Sequence, residues 1–326
     1  MNKNAGKPVV IGFDTSNYRT SVAAVTLDGE ILVNHRELLP VSEGERGLRQ
    51  SDAVFAHVRQ LRNCGGLLRS ALRDAQIVAV ASSTKPRDGE ASYMPVFQAG
   101  YTAGSLLASA LNVPFFETTH QRGHLAAALQ GTKLEHAERL LAIHLSGGTT
   151  DLLELDGDTL MQLGGSADLH AGQLVDRAGV DMGLGFPAGE ALEALAVHGR
   201  SEGKLGCSMD QGGLICHLSG AETRVRQWLR EGSMSREDIA REIYDLLSRT
   251  LIRMLQAGTE KTGIRQALIT GGVAASDLLR QMLDERRKKT RNCPEVIFGK
   301  PEMSGDNAVG TALIGIKKYS EGTYGG

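Results

Sequence analysis

Two stretches of this chain open in the same way, and that repetition constrains the fold more than any other feature. Residues 9–14 read as a buried strand, residues 20–27 as a second, and the Asp28-Gly29 turn leads into Ile31-Leu32-Val33. That order predicts a β-meander. Residues 140–145 start the pattern again, followed by the tight turn Ser146-Gly147-Gly148-Thr149 and a returning strand over 150–155. Mixed α/β segments follow each opening. Apolar spacing predicts helices over 47–73 (weakened by Gly65-Gly66), 96–111, 188–197, 221–229, 236–259, 275–288 and from about 307. Short strands are expected over 77–81, 266–270 and 295–298. The chain reads as an α/β protein with two similar halves and a ligand cleft between them. Its 326 residues agree with two domains.

Charge and composition narrow the class of function. A net charge of −2 argues against wholesale electrostatic binding to nucleic acid, although a local patch is compatible with it. The strongest basic run, Asp284-Glu285-Arg286-Arg287-Lys288-Lys289-Thr290-Arg291, reads either as a solvated helix end or as a contact for a nucleic-acid phosphate backbone. No apolar run approaches the ~18 residues of a membrane span. Cys64, Cys207, Cys216 and Cys293 are scattered without a C-x-x-C pair, as expected of reduced thiols in a cytoplasmic protein. The single tryptophan, Trp228, is expected in a core.

His120 and His124 carry the first chemical signal. On a helix the i, i+4 spacing stacks both imidazoles on one face, where one metal ion can take both. A bare H-x-x-x-H equally describes two histidines on an amphipathic helix. A zinc protease of the H-E-x-x-H type needs glutamate after the first histidine, and Gln121 cannot serve as that base. Two histidines are also one ligand short. Asp306, in Gly305-Asp306-Asn307-Ala308, is either the N-cap of the last helix or the missing carboxylate.

Glycine turns carry the second signal. Ser146-Gly147-Gly148-Thr149 lies between two strands, and Gly271-Gly272 between a strand and a helix. Paired glycines bring bare N–H groups close to an anion, and a following helix adds a favourable field. The hydroxyl-rich Asp14-Thr15-Ser16 turn ends the first strand. Together these are what a nucleotide held between two lobes requires.

At this point the motifs resemble a family. Gly12-Phe13-Asp14-Thr15-Ser16, Pro114 before His120-Gln121-Arg122-Gly123-His124, Leu145-Ser146-Gly147-Gly148-Thr149, Ala171-Gly172-Gln173-Leu174-Val175-Asp176-Arg177, Gly183-Leu184-Gly185-Phe186-Pro187-Ala188-Gly189, Gly271-Gly272-Val273-Ala274-Ala275 and Gly305-Asp306-Asn307-Ala308 occur in one order over about residues 8–317. They resemble the TsaD/Gcp-like proteins of the actin–hexokinase–Hsp70 ATPase superfamily. These are tRNA N6-adenosine threonylcarbamoyltransferases, formerly called O-sialoglycoprotein endopeptidases. The resemblance implies a two-lobed fold with duplicated RNase H-like domains. Residues 8–118 plus 308–326 would form the N-terminal lobe, and 119–307 a second lobe carrying most of the site. It implies one divalent metal, iron or zinc, on His120, His124 and Asp306. It also implies an adenine nucleotide (ATP, AMP or an acyl-adenylate such as threonylcarbamoyl-AMP) beside Ser146, Gly147, Gly148 and Thr149. Asp176 would contact the ribose, with Gly189, Gly271, Gly272 and Ser276 bordering the nucleoside. The implied reaction needs no nucleophilic side chain, and none is evident.

The departures from that pattern are specific. Asn17-Tyr18-Arg19 replaces an acidic stretch, and Lys85-Pro86-Arg87-Asp88-Gly89-Glu90 replaces a Gly-Pro-Gly loop. Arg122 stands where the family has an acid, Thr149 where it has histidine, and Ser276 where it has asparagine. The chain therefore reads as a divergent paralogue. Two functions are compatible with it: a carbamoyl-group transferase acting on tRNA, or a non-catalytic nucleotide-binding partner or regulator. Partner proteins or a homodimer are expected from the resemblance, and a membrane is not.

Overall fold

Segments with a short apolar centre become the central strands. The computed structural model describes residues 6–16, 19–40, 48–89, 92–305 and 308–322. It divides into two compact units, Met1–Gln130 with Gly305–Gly326, and Gly131–Ser304. In the first, β1 (Lys7–Thr15) is buried from Val9 onward, as expected of a strand covered on both faces. It pairs antiparallel with β2 (Arg19–Thr26), which pairs antiparallel with β3 (Ile31–Leu38), an edge strand of alternating exposure. After α1 (Gln50–Ala71), β4 (Ala75–Lys85) runs parallel to β1. After α2 (Phe97–Leu111), β5 (Phe115–Thr119) runs parallel to β4 and leads directly into α3 (His120–Leu129). The sheet order is β3-β2-β1-β4-β5. Gly65 and Gly66 do not break α1: both face open space, and the helix is held by buried Ala53, Ala56, His57, Gln60 and Cys64.

The second unit repeats this plan. Strands β6 (Arg139–Leu145), β7 (Thr150–Asp156) and β8 (Thr159–Ser166) form an antiparallel meander. There follow α4 (Ala171–Asp181), α5 (Gly189–His198), the short β9 (Ser208–Met209) and β10 (Ile215–His217), α6 (Ser219–Glu231) and α7 (Arg236–Thr262). Then β11 (Gln266–Thr270) pairs parallel with β6, a 3-10 turn covers Gly272–Ala275, and α8 (Asp277–Lys289) precedes β12 (Glu295–Phe298), parallel to β11. The order β12-β11-β6-β7-β8 matches β5-β4-β1-β2-β3, with β10 and β9 added at the edge. The core of this unit gathers Leu141, Ile143, Leu145 and Leu152 with residues of α4 to α8, Trp228 among them. All four cysteines are free thiols.

The last helix, α9 (Val309–Ser320), returns to the first unit and lies against β1 and β4. Its approach to α3 is backbone to backbone: a Cβ on Gly310 would stand 1.8 Å from the Gly123 carbonyl oxygen. That contact fixes α3, and with it the histidine pair, in the first unit. The sequence reading began the second lobe at 119; the compact units of the structure change between Gln130 and Gly131.

Candidate functional site

The site in the first unit follows from strand topology. Parallel β1, β4 and β5 bring their C-terminal ends together, as ligand-binding α/β sheets do. Asp14 lies near the end of β1, Ser83 near the end of β4, and His120 is the first residue after β5. Thr119 caps α3 by accepting the Arg122 amide. The two imidazoles then share one helix face, with ring centroids 4.3 Å apart. Nε2 of His124 lies 3.0 Å from Nε2 of His120. Behind His120, both Asp14 oxygens lie within 3.0 Å of Nδ1. Asp14 is buried and also accepts the Ser83 hydroxyl. An ionised carboxylate only accepts, so the proton sits on Nδ1 and the Nε2 lone pair turns toward His124.

This donor set suits a cation. Two imidazole nitrogens on one tetrahedral ion lie roughly 3.3 Å apart, close to the 3.0 Å found here. Asp306 lies outside the described residues. Among the described residues, no group of three or more His, Cys, Asp or Glu side chains gathers at a common point. Asp14 backs His120 from the far side of the ring instead.

Two of the departures meet each other. The Arg122 guanidinium donates from Nε at 3.0 Å and from Nη2 at 2.6 Å to the Asp88 carboxylate, a two-pronged ion pair. Thr119 Oγ1 also donates to Asp88 at 3.3 Å, and the Gln121 amide donates to the Pro86 carbonyl at 3.0 Å. The loop around Pro86–Asp88 is thereby fastened to the first turn of α3. Arg122 is directed to that loop, and Gln121 holds no carboxylate toward the histidines.

In the second unit the predicted nucleotide residues converge at the ends of β6 and β11. The Ser146 amide donates to the Thr149 carbonyl at 2.8 Å, closing the turn, and exposed Gly147 and Gly148 face open space. The N-terminus of α4 packs against this turn: a Cβ on Gly172 would sit 2.6 Å from the Ser146 carbonyl oxygen. The Ala171 amide is taken by Thr150 Oγ1 at 2.8 Å and the Gly172 amide by Ser146 O at 3.3 Å. The α4 terminus therefore buttresses the turn, and the glycine backbone is what faces outward. Gly271, at φ 106°, lies against Leu145, the residue before the turn. Asp176 accepts the Ala188 amide at 2.8 Å and so fixes the start of α5 at Gly189. Tyr244 donates to the Gly189 carbonyl at 3.1 Å and interacts with the Ser276 hydroxyl; burial pushes its phenol pKa up. Ser276 also caps α8.

Three contributors were not assigned from sequence: Asp14 as the partner of His120, Asp88 as the partner of Arg122, and Tyr244. Asp14 carried a signal, as the acid ending the first strand. Tyr244, one aromatic in a helix of apolar spacing, carried none.

The sequence pattern of the TsaD family, described as tRNA N6-adenosine threonylcarbamoyltransferase, matches residues 92–313, about two-thirds of the chain. The chain belongs to the TsaD family. Solved structures show the fold of this TsaD-family chain independently. Full-length HypF in a phosphate- and nucleotide-bound form superposes with a TM-score of 0.60 at 13% identity, covering 97% of this chain and 47% of that one. HypF of T. kodakarensis matches with a TM-score of 0.60 at 14% identity, over 98% of this chain and 49% of that one. The chain thus spans about half the length of the HypF chains. The activator of 2-hydroxyisocaproyl-CoA dehydratase from Clostridium difficile, with bound ADPNP, gives 0.54 at 15% identity, covering 97% of each chain. These likenesses show an actin–hexokinase–Hsp70-type fold, as the resemblance implied. No helix among the described residues is long and apolar enough to cross a membrane.

Proposed function

We propose that this TsaD-family protein transfers a threonylcarbamoyl or related carbamoyl group from an acyl-adenylate to N6 of an adenosine in tRNA. The observation that carries the reading is the Asp14–His120–His124 chain, in which a buried carboxylate orients one imidazole toward a second. His120 and His124 would hold a divalent metal, iron or zinc, with Asp306 as the third ligand. When bound, that ion would supply Lewis-acid stabilisation of charge on phosphate and carbamoyl oxygens. The chain's own residues do the rest. Ser146, Gly147, Gly148 and Thr149 would present backbone and hydroxyl donors to the adenylate phosphate. Asp176, Gly189, the Gly271-Gly272 turn and Ser276 would border the ribose and base, with Tyr244 keeping Gly189 and Ser276 in register. In the transfer, the adenosine N6 forms a C–N bond to the carbamoyl carbon, the carbon–oxygen bond to phosphate breaks, AMP leaves, and N6 loses a proton. No covalent intermediate is required, in keeping with the absence of an activated nucleophile in the residues assigned.

A second reading, a non-catalytic nucleotide-binding regulator, is favoured by the Asp88–Arg122 clamp, which places a family-atypical loop on the first turn of α3. Metal content and adenine-nucleotide affinity, measured on wild type, His124→Ala and Asp306→Ala, test the transferase site. The proposal expects the substitutions to remove metal and to weaken nucleotide phosphate binding together. Metal-free wild type that binds neither ATP nor AMP overturns it. Intact metal and nucleotide binding without turnover on tRNA leaves the regulator reading in its place.

A further inference from the structure

Along α7 and α8 the protein leaves cations unpaired that it pairs elsewhere. Arg139 binds Glu154 and Asp156, Arg226 binds Asp181 and Glu222, and on α8 itself Arg287 and Lys288 both reach Asp284. The basic run near residue 287 is thus split: Arg287 and Lys288 share Asp284 within the helix, while Arg286 and Lys289 line two adjoining cavities of about 350 and 550 Å³. Arg249 and Arg253 line the first cavity, and Arg200 and Arg241 the second. Among the described residues, six cations therefore face two carboxylates, Asp245 and Glu285, on a chain whose net charge is −2. Asp245 is buried and joins Arg249 to Arg286, and Arg286 also donates to Ser248 Oγ at 2.8 Å. One carboxylate thus holds two guanidiniums in place without cancelling both. Arg200, Arg241, Arg253 and Lys289 have no carboxylate in ion-pair contact among the described residues.

The arrangement of these charges selects the ligand. A small phosphate ester is bound by cations that converge on one point. Here Arg241, Arg249 and Arg253 follow at multiples of four residues along α7, so the row runs about 18 Å at ~1.5 Å per residue. That length exceeds a pyrophosphate and matches several successive phosphates, which advance about 3.4 Å along the axis per residue of a duplex strand. Among the described residues no aromatic side chain lines either cavity to stack on a base. The chemistry is that of sequence-independent backbone contact, which sets register and orientation. We infer that the α7–α8 face holds the phosphodiester backbone of an RNA, positioning the tRNA acceptor. The inference rests on the proposed action on tRNA.

Equilibrium binding of a labelled, unmodified tRNA transcript over 50–300 mM KCl tests it, comparing wild type with Arg241→Ala/Arg253→Ala/Lys289→Ala. Each lost phosphate contact removes roughly 0.7–0.9 from the slope of log K against log salt. The triple variant is expected to lose about 2–3 of that slope and at least about tenfold in affinity at low salt. Its melting temperature should not move, since the three side chains are unpaired. Arg139→Ala/Arg226→Ala, a charge-lowering control away from the cavities, should keep the wild-type slope. Absence of tRNA binding, an unchanged slope in the triple variant, or an equal loss in the control overturns the inference. So does binding of this face to phosphatidylserine vesicles in preference to tRNA. The triple variant should also keep wild-type metal content and ATP affinity. Loss of those in wild type itself defeats the proposed function, whereas a failed slope test with both intact defeats the docking face alone.

Discussion

Replacing Asp14 by Asn should loosen metal binding while leaving the fold in place. Asp14 is 1% exposed and accepts from His120 Nδ1 at 2.9 Å, so its charge acts on the imidazole with little solvent screening. Asparagine keeps one acceptor oxygen in place of two, and its NH2 only donates, so the substitution preserves shape while removing the charge and one acceptor shared by the Ser83 hydroxyl and His120. A hydrogen bond to a charged group contributes about 1.5–3 kcal/mol, against about 0.5–1.5 kcal/mol for a neutral one. The difference, roughly 1–1.5 kcal/mol, falls on the orientation and basicity of His120. Loss of such a carboxylate behind a metal-bound histidine typically weakens affinity about 10–100-fold, or about 1.4–2.8 kcal/mol. The two figures overlap near tenfold. Titration of zinc or ferrous iron against a competing chelator measures the shift, with circular dichroism and a thermal melt confirming a folded variant. A dissociation constant within threefold of wild type, in a folded Asp14→Asn protein, would refute the assignment of Asp14 as the partner that orients His120.

Asp88→Asn and Arg122→Gln, alone and combined, should give a coupling energy of about 0.5–1 kcal/mol in urea unfolding, because both side chains are a quarter to a third exposed; purely additive effects would show that the clamp contributes nothing. Gly271→Ala should cost about 3 kcal/mol or more and abolish ATP binding, since its φ of 106° disfavours a Cβ that would lie 2.0 Å from the Leu145 carbonyl oxygen; a variant that melts like wild type contradicts that packing. Burial pushes the Cys64, Cys216 and Cys293 thiols up to about 11, above the ordinary range of a free thiol. At pH 8 their thiolate fraction is then roughly 100-fold below that of a free cysteine, and alkylation by iodoacetamide should accelerate about tenfold per pH unit up to pH 10. Rapid modification of all three at pH 8 in folded protein would show that their burial is wrong.

How far the sequence revealed this fold depends on burial. The meanders at β1–β2 and β6–β7 were legible because their strands are buried on both faces and each carries an apolar centre: 9–13, 22–25, 140–143 and 152–153. Strand β8 was not, because only Leu160 and Gly165 of Thr159–Ser166 are buried, and β5 was hidden by its five-residue length. The Ala171–Arg177 motif alone does not announce a helix, although Leu174, Val175 and Ala178 form the buried stripe of α4. The helical pairing of His120 with His124 followed from spacing alone. The partners of His120 and Arg122 did not, since Asp14 is 106 residues away from the one and Asp88 34 from the other. Local pattern carries no such distance; sheet register supplies it, by aligning β1, β4 and β5. The same limit hid the cation row, because Arg241, Arg249 and Arg253 read as an ordinary polar helix face until α8 is packed beside it.

The most direct test is a single-turnover reaction of metal-loaded protein with threonylcarbamoyl-AMP and unmodified tRNA, followed by nucleoside digestion and mass spectrometry. The account predicts threonylcarbamoyl on adenosine from wild type and none from folded His120→Ala. Equal product from both proteins, or none from wild type that retains metal and adenine nucleotide, contradicts it.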